Sequence, residues 1–403
     1  MARTYEPLIN CAGGHIESHE TESGGIAALT RIYAGRIANC TIDQTVWGVA
    51  RMVSMSSPSL ASDRVPSEVR TPAEIAEPVK LPTKFQRVAQ KGCHWDLPRS
   101  FGQYAAADVR LSVRGAAPKC IIRRENDDNE WYIAKGAEKA GRNETFTELL
   151  NNQLGALLRF EMAHSGLVRV DGELRFVSRN FLRPDESLRH ASVIAKEFFQ
   201  TDLEQVGKKK EVEQGAYDVE MLHELIRETC GPEQWEQVFA GFVEMLTFDC
   251  LIGSMDRHMQ NWGIVVTNTT PSRFRFAPIF DSARALLWDY PEDKLLRLVQ
   301  NPSALRGYIV RACPRIGYMG AKGGVNHFTL LGHLLDRYTA YTEGALSKVT
   351  REKVRVASQI VQKYPFERAF TATRKRALLK VLVTRAEVME DIHRKGGDYV
   401  PSR

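Results

Sequence analysis

The sequence predicts an α+β fold of two lobes, with a sheet-rich N-terminal lobe followed by a helical C-terminal lobe. Three observations predict it. The chain has 403 residues, which is too long for one ordinary hydrophobic core. Short runs of alternating apolar residues, separated by glycine and aspartate turns, lie between positions 109 and 177. From Pro232 onward, apolar residues instead recur at helical spacing.

The composition is that of a globular protein with only a mild excess of positive charge. A formal net charge of +6 comes from 55 basic and 49 acidic residues, which permits an anionic ligand without requiring nucleic acid. No run approaches the roughly 20 apolar residues that span a bilayer, and the N-terminus has no secretory pattern. The seven cysteines are scattered, without a C-x-x-C pair. We therefore expect a cytoplasmic protein that binds neither nucleic acid directly nor a membrane.

The chain divides into three predicted segments. Residues 1–91 form an N-terminal arm or linker of unknown role. We expect this arm to be partly disordered, because residues 53–83 are rich in serine, proline and glutamate. Residues 92–182 form the N-terminal lobe, and residues 183–403 form the helical C-terminal lobe.

The elements of the N-terminal lobe follow from turns and periodicity. Strands are predicted at 109–113, 120–124 and 131–135, with glycine- and asparagine-rich turns between them, so that Lys135 ends the third strand. Apolar residues at helical spacing predict a helix over 143–160. Asp171 and Gly172 predict a tight turn between strands 167–170 and 174–177.

In the C-terminal lobe, Pro232 opens a long helix whose apolar residues continue to Leu251. A polar segment, Asp-Arg-His-Met-Gln-Asn, occupies positions 256–261. Strands are predicted at 264–267 and 274–280, and Asp281 directly follows the second. Because two consecutive strands form a hairpin, we expect Asp281 to return close to Asn261.

These residues are the parts that phosphoryl transfer needs. A carboxylate accepts or orients the proton of the acceptor hydroxyl, and Asp256 suits this role. An amide oxygen and a second carboxylate can hold Mg²⁺, a hard cation that prefers oxygen ligands, and Asn261 and Asp281 suit that role. A lysine neutralises phosphate oxygens, which Lys135 can do. The sequence therefore predicts a phosphotransferase that uses ATP and Mg²⁺.

Each of these residues alone has a simpler explanation. Asp256 and Asp281 could be cap or turn residues, Lys135 a surface lysine, and His258 a structural histidine rather than a base. Their order is what favours catalysis. A strand lysine, a helix glutamate, a D-x-x-x-x-N loop, a hairpin and a second aspartate follow one another as in a kinase.

At these residues the chain resembles the HipA-like serine/threonine kinases, the toxin components of HipA–HipB modules. Their catalytic stretch, I-G-x-x-D-x-H-x-x-N, stands here at 252–261, and Phe280-Asp281 resembles their metal-binding segment. Their S-x-x-G-A-x-x-K loop over the nucleotide stands at 112–119. The resemblance implies a protein-kinase-like fold in which the nucleotide is contacted by loop residues Ser112, Val113, Gly115, Ala116 and Lys119.

The resemblance implies further nucleotide-side residues. Asn143-Glu144 opens the helix of the family's N-terminal lobe, so Glu144 is assigned to organise Lys135, with Glu148 as the alternative. Residues 177–181 resemble the inter-lobe hinge that meets adenine, which assigns Arg179 and Phe181 to the nucleotide. We place His258 on the same side, as a partner within its loop.

For function, the resemblance implies an ATP- and Mg²⁺-dependent kinase of protein serine or threonine, which autophosphorylates Ser112 and has a small DNA-binding antitoxin as candidate partner. Residues 1–91 do not look like the β-rich subdomain that family members carry, which leaves that partner open. Two alternatives remain at this point. One is a lipid or small-molecule kinase of related fold, and the other is a non-catalytic nucleotide-binding regulatory module.

Overall fold

A computed structural model describes residues 119–124, 127–136, 143–170, 173–199, 217–321, 324–364 and 370–399. The predicted arm at 1–91, the predicted strand at 109–113 and most of the predicted nucleotide loop lie outside these ranges. Of that loop, the structure describes Lys119 but not Ser112, Val113, Gly115 or Ala116.

A four-stranded antiparallel sheet and one helix make up the N-terminal part of the described chain. The sheet has the order β1-β2-β4-β3, and its register places Lys119 opposite Lys135. Its elements are β1 (Lys119–Arg124), β2 (Asp127–Lys135), α1 (Asn143–Leu157), β3 (Ser165–Val170) and β4 (Glu173–Arg179). The predicted strands at 120–124 and 131–135, the helix and the hairpin are confirmed.

The two faces of this sheet bury different residues, as the two-residue period of a strand requires. Leu167 and Phe176 join the main hydrophobic core with the apolar side of α1. Ile122, Ala134, Val168 and Val177 form a separate small cluster, which Tyr132 partly covers. The apolar side of α1 therefore packs into the same core as the helices that follow.

A second, three-stranded antiparallel sheet has the order β5-β6-β7. It is built from β5 (Glu186–His190), β6 (Gly263–Thr267) and β7 (Phe274–Phe276). The predicted β6–β7 hairpin is confirmed, but β7 is shorter than predicted, since Pro278 has no N–H for the ladder. A Cβ at Gly263 would lie 2.4 Å from the Arg189 carbonyl oxygen, so only glycine allows this approach of β6 to β5.

The rest of the described chain is helical. Helix α4 lies at its centre, with all but one of the residues from Phe242 to Ile252 buried. It ends at Gly253, whose φ of 64° is the left-handed conformation of a glycine helix cap. The helices are α2 (Ala191–Phe199), α3 (Val219–Cys230), α4 (Trp235–Ile252), α5 (Glu292–Gln300), α6 (Pro302–Arg311), α7 (His327–Arg337), α8 (Thr339–Leu346), α9 (Arg351–Ser358) and α10 (Ala372–Arg394).

The predicted α+β class and the long helix after Pro232 are thus confirmed, while β5 was not predicted. Within the described ranges, none of the helices combines the length and apolar character that crossing a bilayer requires. The segments that follow α4 and β7 position the candidate site, because a hydrogen bond joins Arg257 to the carbonyl of Phe280.

Candidate active site

The loop at 256–261 begins where α4 ends and is closed by its own hydrogen bonds. The amide of His258 donates to the Asp256 carbonyl at 2.9 Å, and the amide of Asn261 donates to the His258 carbonyl at 2.9 Å. The side-chain amide of Asn261 donates to the Asp256 carbonyl at 2.7 Å. Asp256 and Asn261, which the sequence predicts for the site, are therefore held in one compact loop.

Arg257 points inward from this loop and is 1% exposed. Its guanidinium donates to both carboxylate oxygens of Asp249 on α4, at 2.8 and 3.0 Å. It also donates to the carbonyls of Asn261 and Phe280 and to the hydroxyl of Ser282. A planar guanidinium with five donors can make all these bonds at once. Arg257 thereby joins the loop of Asp256 and Asn261 to the segment that carries Asp281.

Asp281 follows β7 with a φ of 56°, a left-handed conformation that is uncommon for residues other than glycine. In this position its carboxylate pairs with Lys135 at the end of β2. Lys135 also lies 3.2 Å from the Glu148 carboxylate of α1. The structure thus brings together Lys135 and Asp281, which are 146 positions apart in the chain.

Electrostatics in this group follow from burial and from the shared lysine. Burial alone would lower the pKa of Lys135, but the carboxylates of Glu148 and Asp281 outweigh burial and raise it. Burial also favours the protonated form of Asp281, yet the charge and hydrogen bond of Lys135 lower the pKa of Asp281 to about 2. Burial raises the pKa of Glu148 to about 7, although Lys135 opposes that shift. Asp281 is therefore the carboxylate that keeps its charge at neutral pH.

The assignment of Glu144 as the partner of Lys135 is wrong. Glu148 makes that contact, whereas Glu144 lies 3.4 Å from Arg284. The two glutamates are one helical turn apart and face the same side of α1. Which glutamate contacts Lys135 depends on where α1 lies along its own axis relative to the end of β2. The packing of the helix decides that position.

Two arginines hold the carboxylate of Asp256. Arg284 donates to its Oδ2 at 3.2 Å, and Arg315 donates to its Oδ1 at 3.1 Å. Arg315 also donates to the Met255 carbonyl at 3.3 Å. Neither arginine was predicted, since they lie 28 and 59 positions beyond Asp256 and follow no motif.

The remaining predicted site residues lie around this group. His258 accepts a 3.3 Å bond from the amide of Gln260 through its Nδ1, within its own loop. Lys119 sits opposite Lys135 in the sheet, and burial is the main cause that lowers its pKa. The ring of Phe181 stacks on Phe280 with centroids 6.0 Å apart, while Arg179 is exposed and its backbone amide donates to His164.

Comparison with known proteins identifies the family that part of the chain resembles. Residues 111–308 match the family model described as HipA-like C-terminal domain. This segment is therefore similar to the HipA-like C-terminal domain. The match begins one residue before Ser112 and ends within α6, so it includes every residue predicted for the site. The resemblance inferred from the motifs is confirmed.

Two solved structures resemble this chain. The crystal structure of a Helicobacter pylori proinflammatory kinase, CtkA, is 18% identical and aligns with a TM-score of 0.54 over 69% of this chain and 94% of that chain. A chain of the Shewanella oneidensis MR-1 toxin–antitoxin complex of HipA, HipB and operator DNA is 12% identical, with a TM-score of 0.44, over 77% of this chain and 72% of that chain. No curated protein sequence matches the chain. The likeness to CtkA shows the kinase-like fold.

The donors present in the HipA-like domain suit Mg²⁺ and phosphate. Asn261 uses its Nδ2 within the loop, which leaves its Oδ1 as a hard oxygen ligand, and Asp281 supplies a carboxylate with a low pKa. Among the residues that the structure describes, no group of three or more His, Cys, Asp or Glu side chains is arranged to hold a metal. One amide and one carboxylate would therefore leave most Mg²⁺ positions to water and phosphate oxygens, as that ion prefers.

Proposed function

We propose that this chain is an ATP- and Mg²⁺-dependent kinase that phosphorylates serine or threonine in a protein. The observation that carries the proposal is the position of Arg257, which bonds the loop of Asp256 and Asn261 to the segment that carries Asp281. One buried guanidinium thus organises the candidate base and both candidate metal ligands. Such fixed positioning is the main protein contribution to phosphoryl transfer.

The proposed roles follow from charge and chemistry. Asp256 accepts the proton of the acceptor hydroxyl, because its carboxylate is partly exposed at the edge of the site. Lys135 would neutralise phosphate oxygens, and Asn261 and Asp281 would hold the metal. When bound, Mg-ATP supplies the phosphoryl group and a divalent charge that stabilises the leaving oxygen. Family resemblance assigns Ser112, Val113, Gly115, Ala116 and Lys119 to the covering loop, and Arg179, Phe181 and His258 to the nucleotide side.

Autophosphorylation of Ser112 is part of the proposal. A phosphoserine carries a charge of about −2 and would repel ATP phosphates from the loop, which would inactivate the enzyme. Incubation with Mg-ATP should add phosphate to Ser112 of the wild type and not of an Asp256→Asn variant. Mass spectrometry that finds Ser112 unmodified in the wild type would remove this part of the proposal.

The partners proposed are a protein substrate and a small DNA-binding antitoxin, in the cytoplasm. The family resemblance supports the antitoxin, and affinity purification of the full chain from its native host tests it. Recovery of a small protein that binds DNA at stoichiometric ratio is expected. Purification of the chain without such a protein would contradict the antitoxin while leaving the kinase proposal intact.

The kinase proposal is tested by short expression of the wild type and of Asp281→Asn in the same host, followed by phosphoproteomics and lipid extraction. New phosphoserine or phosphothreonine in proteins should appear with the wild type alone. Label that appears in lipids or small molecules instead would favour the alternative kinase class. Nucleotide binding without phosphate transfer to any fraction would favour the non-catalytic module.

A further inference from the structure

Helix α1 presents three buried polar side chains on one face, at the i, i+4 and i+7 positions that align along a helix. They are Glu144, Glu148 and Asn151. Glu148 pairs with Lys135, and the side-chain amide of Asn151 donates to the Ser282 carbonyl at 2.7 Å. Glu144 meets Arg284. Each of these three residues therefore contacts a different part of the candidate active site.

Arg284 contacts two carboxylates that belong to different parts of the molecule. Its Nε lies 3.4 Å from Glu144 on α1, and its Nη1 lies 3.2 Å from Asp256 in the catalytic loop. The guanidinium is rigid and planar, so a displacement of one end moves the other. Glu144 is almost fully buried, whereas Arg284 and Asp256 are partly exposed. Arg284 therefore connects α1 to Asp256, the proposed catalytic carboxylate.

Arg315 provides a contrast within the same cluster. It donates to the other oxygen of Asp256 and to the carbonyl of Met255, the preceding residue. Both of these acceptors lie at the start of the catalytic loop. Arg315 therefore links the Asp256 side chain to the neighbouring backbone, whereas Arg284 links Asp256 to α1.

We propose that Arg284 is a positioning residue that transmits the position of α1, through Glu144, to the carboxylate of Asp256. The inference rests on the proposed role of Asp256 as the catalytic carboxylate. Through Glu148 the helix positions Lys135, and through Glu144 and Arg284 it positions Asp256. A displaced α1 would then misplace both the phosphate-binding and the proton-accepting groups. Small misplacements of reacting groups lower rates strongly.

The test compares Glu144→Gln, Arg284→Gln, the double variant and Glu148→Gln in the full chain. Two quantities are measured: the maximal rate of phosphate transfer from labelled Mg-ATP to the chain itself and to water, and the Kd for Mg-ATP by calorimetry. Glu144→Gln and Arg284→Gln should each lower the maximal rate about tenfold and leave the Kd within about twofold. The double variant should be no slower than Arg284→Gln, because both changes interrupt one connection.

Control variants separate positioning from folding. Glu352→Gln removes an exposed carboxylate of α9 that pairs with Arg355, and it should retain the wild-type rate and melting temperature. Arg284→Lys keeps the charge and should recover part of the rate lost in Arg284→Gln. If Arg284→Gln does not fold, Glu144→Gln and Arg284→Lys still test the connection, with Arg284→Lys expected between Glu144→Gln and the wild type.

The outcomes distinguish this inference from the proposed function. A wild type that neither binds Mg-ATP nor transfers phosphate would defeat the kinase proposal itself. An active wild type matched by Glu144→Gln and Arg284→Gln would overturn only the inference. Additive losses in the double variant would also overturn it, since Glu144 would then act independently of Arg284. So would a weakened Kd for Mg-ATP in Glu144→Gln, since Glu144 would then act through Lys135, as Glu148 does.

Discussion

Two clusters in the candidate active site have opposite arrangements of charge. In the first, which we call the nucleotide cluster, Lys135 lies between the carboxyl groups of Glu148 and Asp281. In the second, the acceptor cluster, the carboxylate of Asp256 lies between the guanidinium groups of Arg284 and Arg315. One cluster surrounds a cation with acids, and the other surrounds an acid with cations.

On the proposed function, the two clusters serve different halves of the reaction. The charged carboxylate of Asp281 would attract the divalent metal, and Lys135 would bind phosphate oxygens beside it. An excess of guanidinium keeps Asp256 oriented and favours the arrival of negative charge beside it. Helix α1 contributes one glutamate to each side, Glu148 to Lys135 and Glu144 to Arg284, so the clusters are separate in chemistry but share a support.

The largest expected effect comes from Asp256→Asn, which should change the acceptor cluster and leave the nucleotide cluster unchanged. Asp256→Asn should lower phosphate transfer on the order of 10³-fold, because the amide cannot accept the hydroxyl proton. The Kd for Mg-ATP should stay near the wild-type value, since the nucleotide cluster is intact. Transfer rates and calorimetric titration of the same preparation measure both. An equal loss of nucleotide binding would show that the clusters are not separable.

The next largest effect is expected from replacing Arg257, which joins the loop of Asp256 to the segment that carries Asp281. Arg257→Leu leaves the carboxylate of Asp249 buried without its partner, and breaking a buried pair costs about 3–5 kcal/mol of unfolding free energy. Urea denaturation followed by circular dichroism measures the change. The matched control is Arg355→Leu, which breaks an exposed pair with Glu352 on α9 and should unfold near the wild-type midpoint. An Arg257→Leu protein that is as stable as the wild type, binds Mg-ATP and transfers phosphate would contradict the central role of Arg257.

The third effect is a pH dependence that belongs to the nucleotide cluster. Because the folded-state pKa of Glu148 is raised to about 7, its contribution to stability is fully present below the unfolded value near 4.5 and is lost as pH rises through about 7. Glu148→Gln cannot titrate, so the stability difference between variant and wild type should shift in favour of the variant between pH 5 and pH 8. Urea unfolding at four pH values measures this difference. A difference that is constant with pH would contradict the raised pKa.

The smallest effect concerns the predicted inter-lobe hinge at 177–181, which lies outside both clusters. Arg275 donates to the Phe181 carbonyl at 3.1 Å and to the Glu186 carboxylate at 2.8 Å. Arg275→Gln should raise the KM for ATP about threefold without changing kcat, since one hydrogen bond of moderate strength holds that carbonyl. Steady-state kinetics at saturating acceptor measure the two constants. A change confined to kcat would contradict this role of Arg275.

Much of the site could be predicted because its residues follow one another in short, patterned stretches. Asp256 and Asn261 are five positions apart in one loop, and Asp281 follows a hairpin whose strands alternate clearly. Lys135 ends a strand that the preceding asparagine-rich turn predicts. The three arginines were missed for different reasons. Arg257 looks like an ordinary polar loop residue, and its partner Asp249 lies on a helix face whose burial is set by packing. Arg284 and Arg315 come from distant segments.

Two further elements show the limits of local pattern. Strand β5 was missed because its five residues, Glu-Ser-Leu-Arg-His, have little apolar alternation and become a strand by pairing with β6. The choice between Glu144 and Glu148 was made wrongly, since helical periodicity places both on one face and does not say which turn meets β2. The roles of all the site residues stay predictions, and Ser112, Val113, Gly115 and Ala116 also lie outside the described ranges.

By itself, the sequence determined the α+β class, the kinase-like order of the motifs, the HipA-like resemblance and the identity of Asp256, Asn261, Asp281 and Lys135 as the residues to consider. These properties depend on periodicity, turns and spacing, which are local. Only the tertiary structure decided that Glu148 meets Lys135, that Arg257 joins the two loops and that Arg284 connects Asp256 to α1. Such contacts join residues far apart in the chain, and their geometry is set by how the sheets and helices pack into one core.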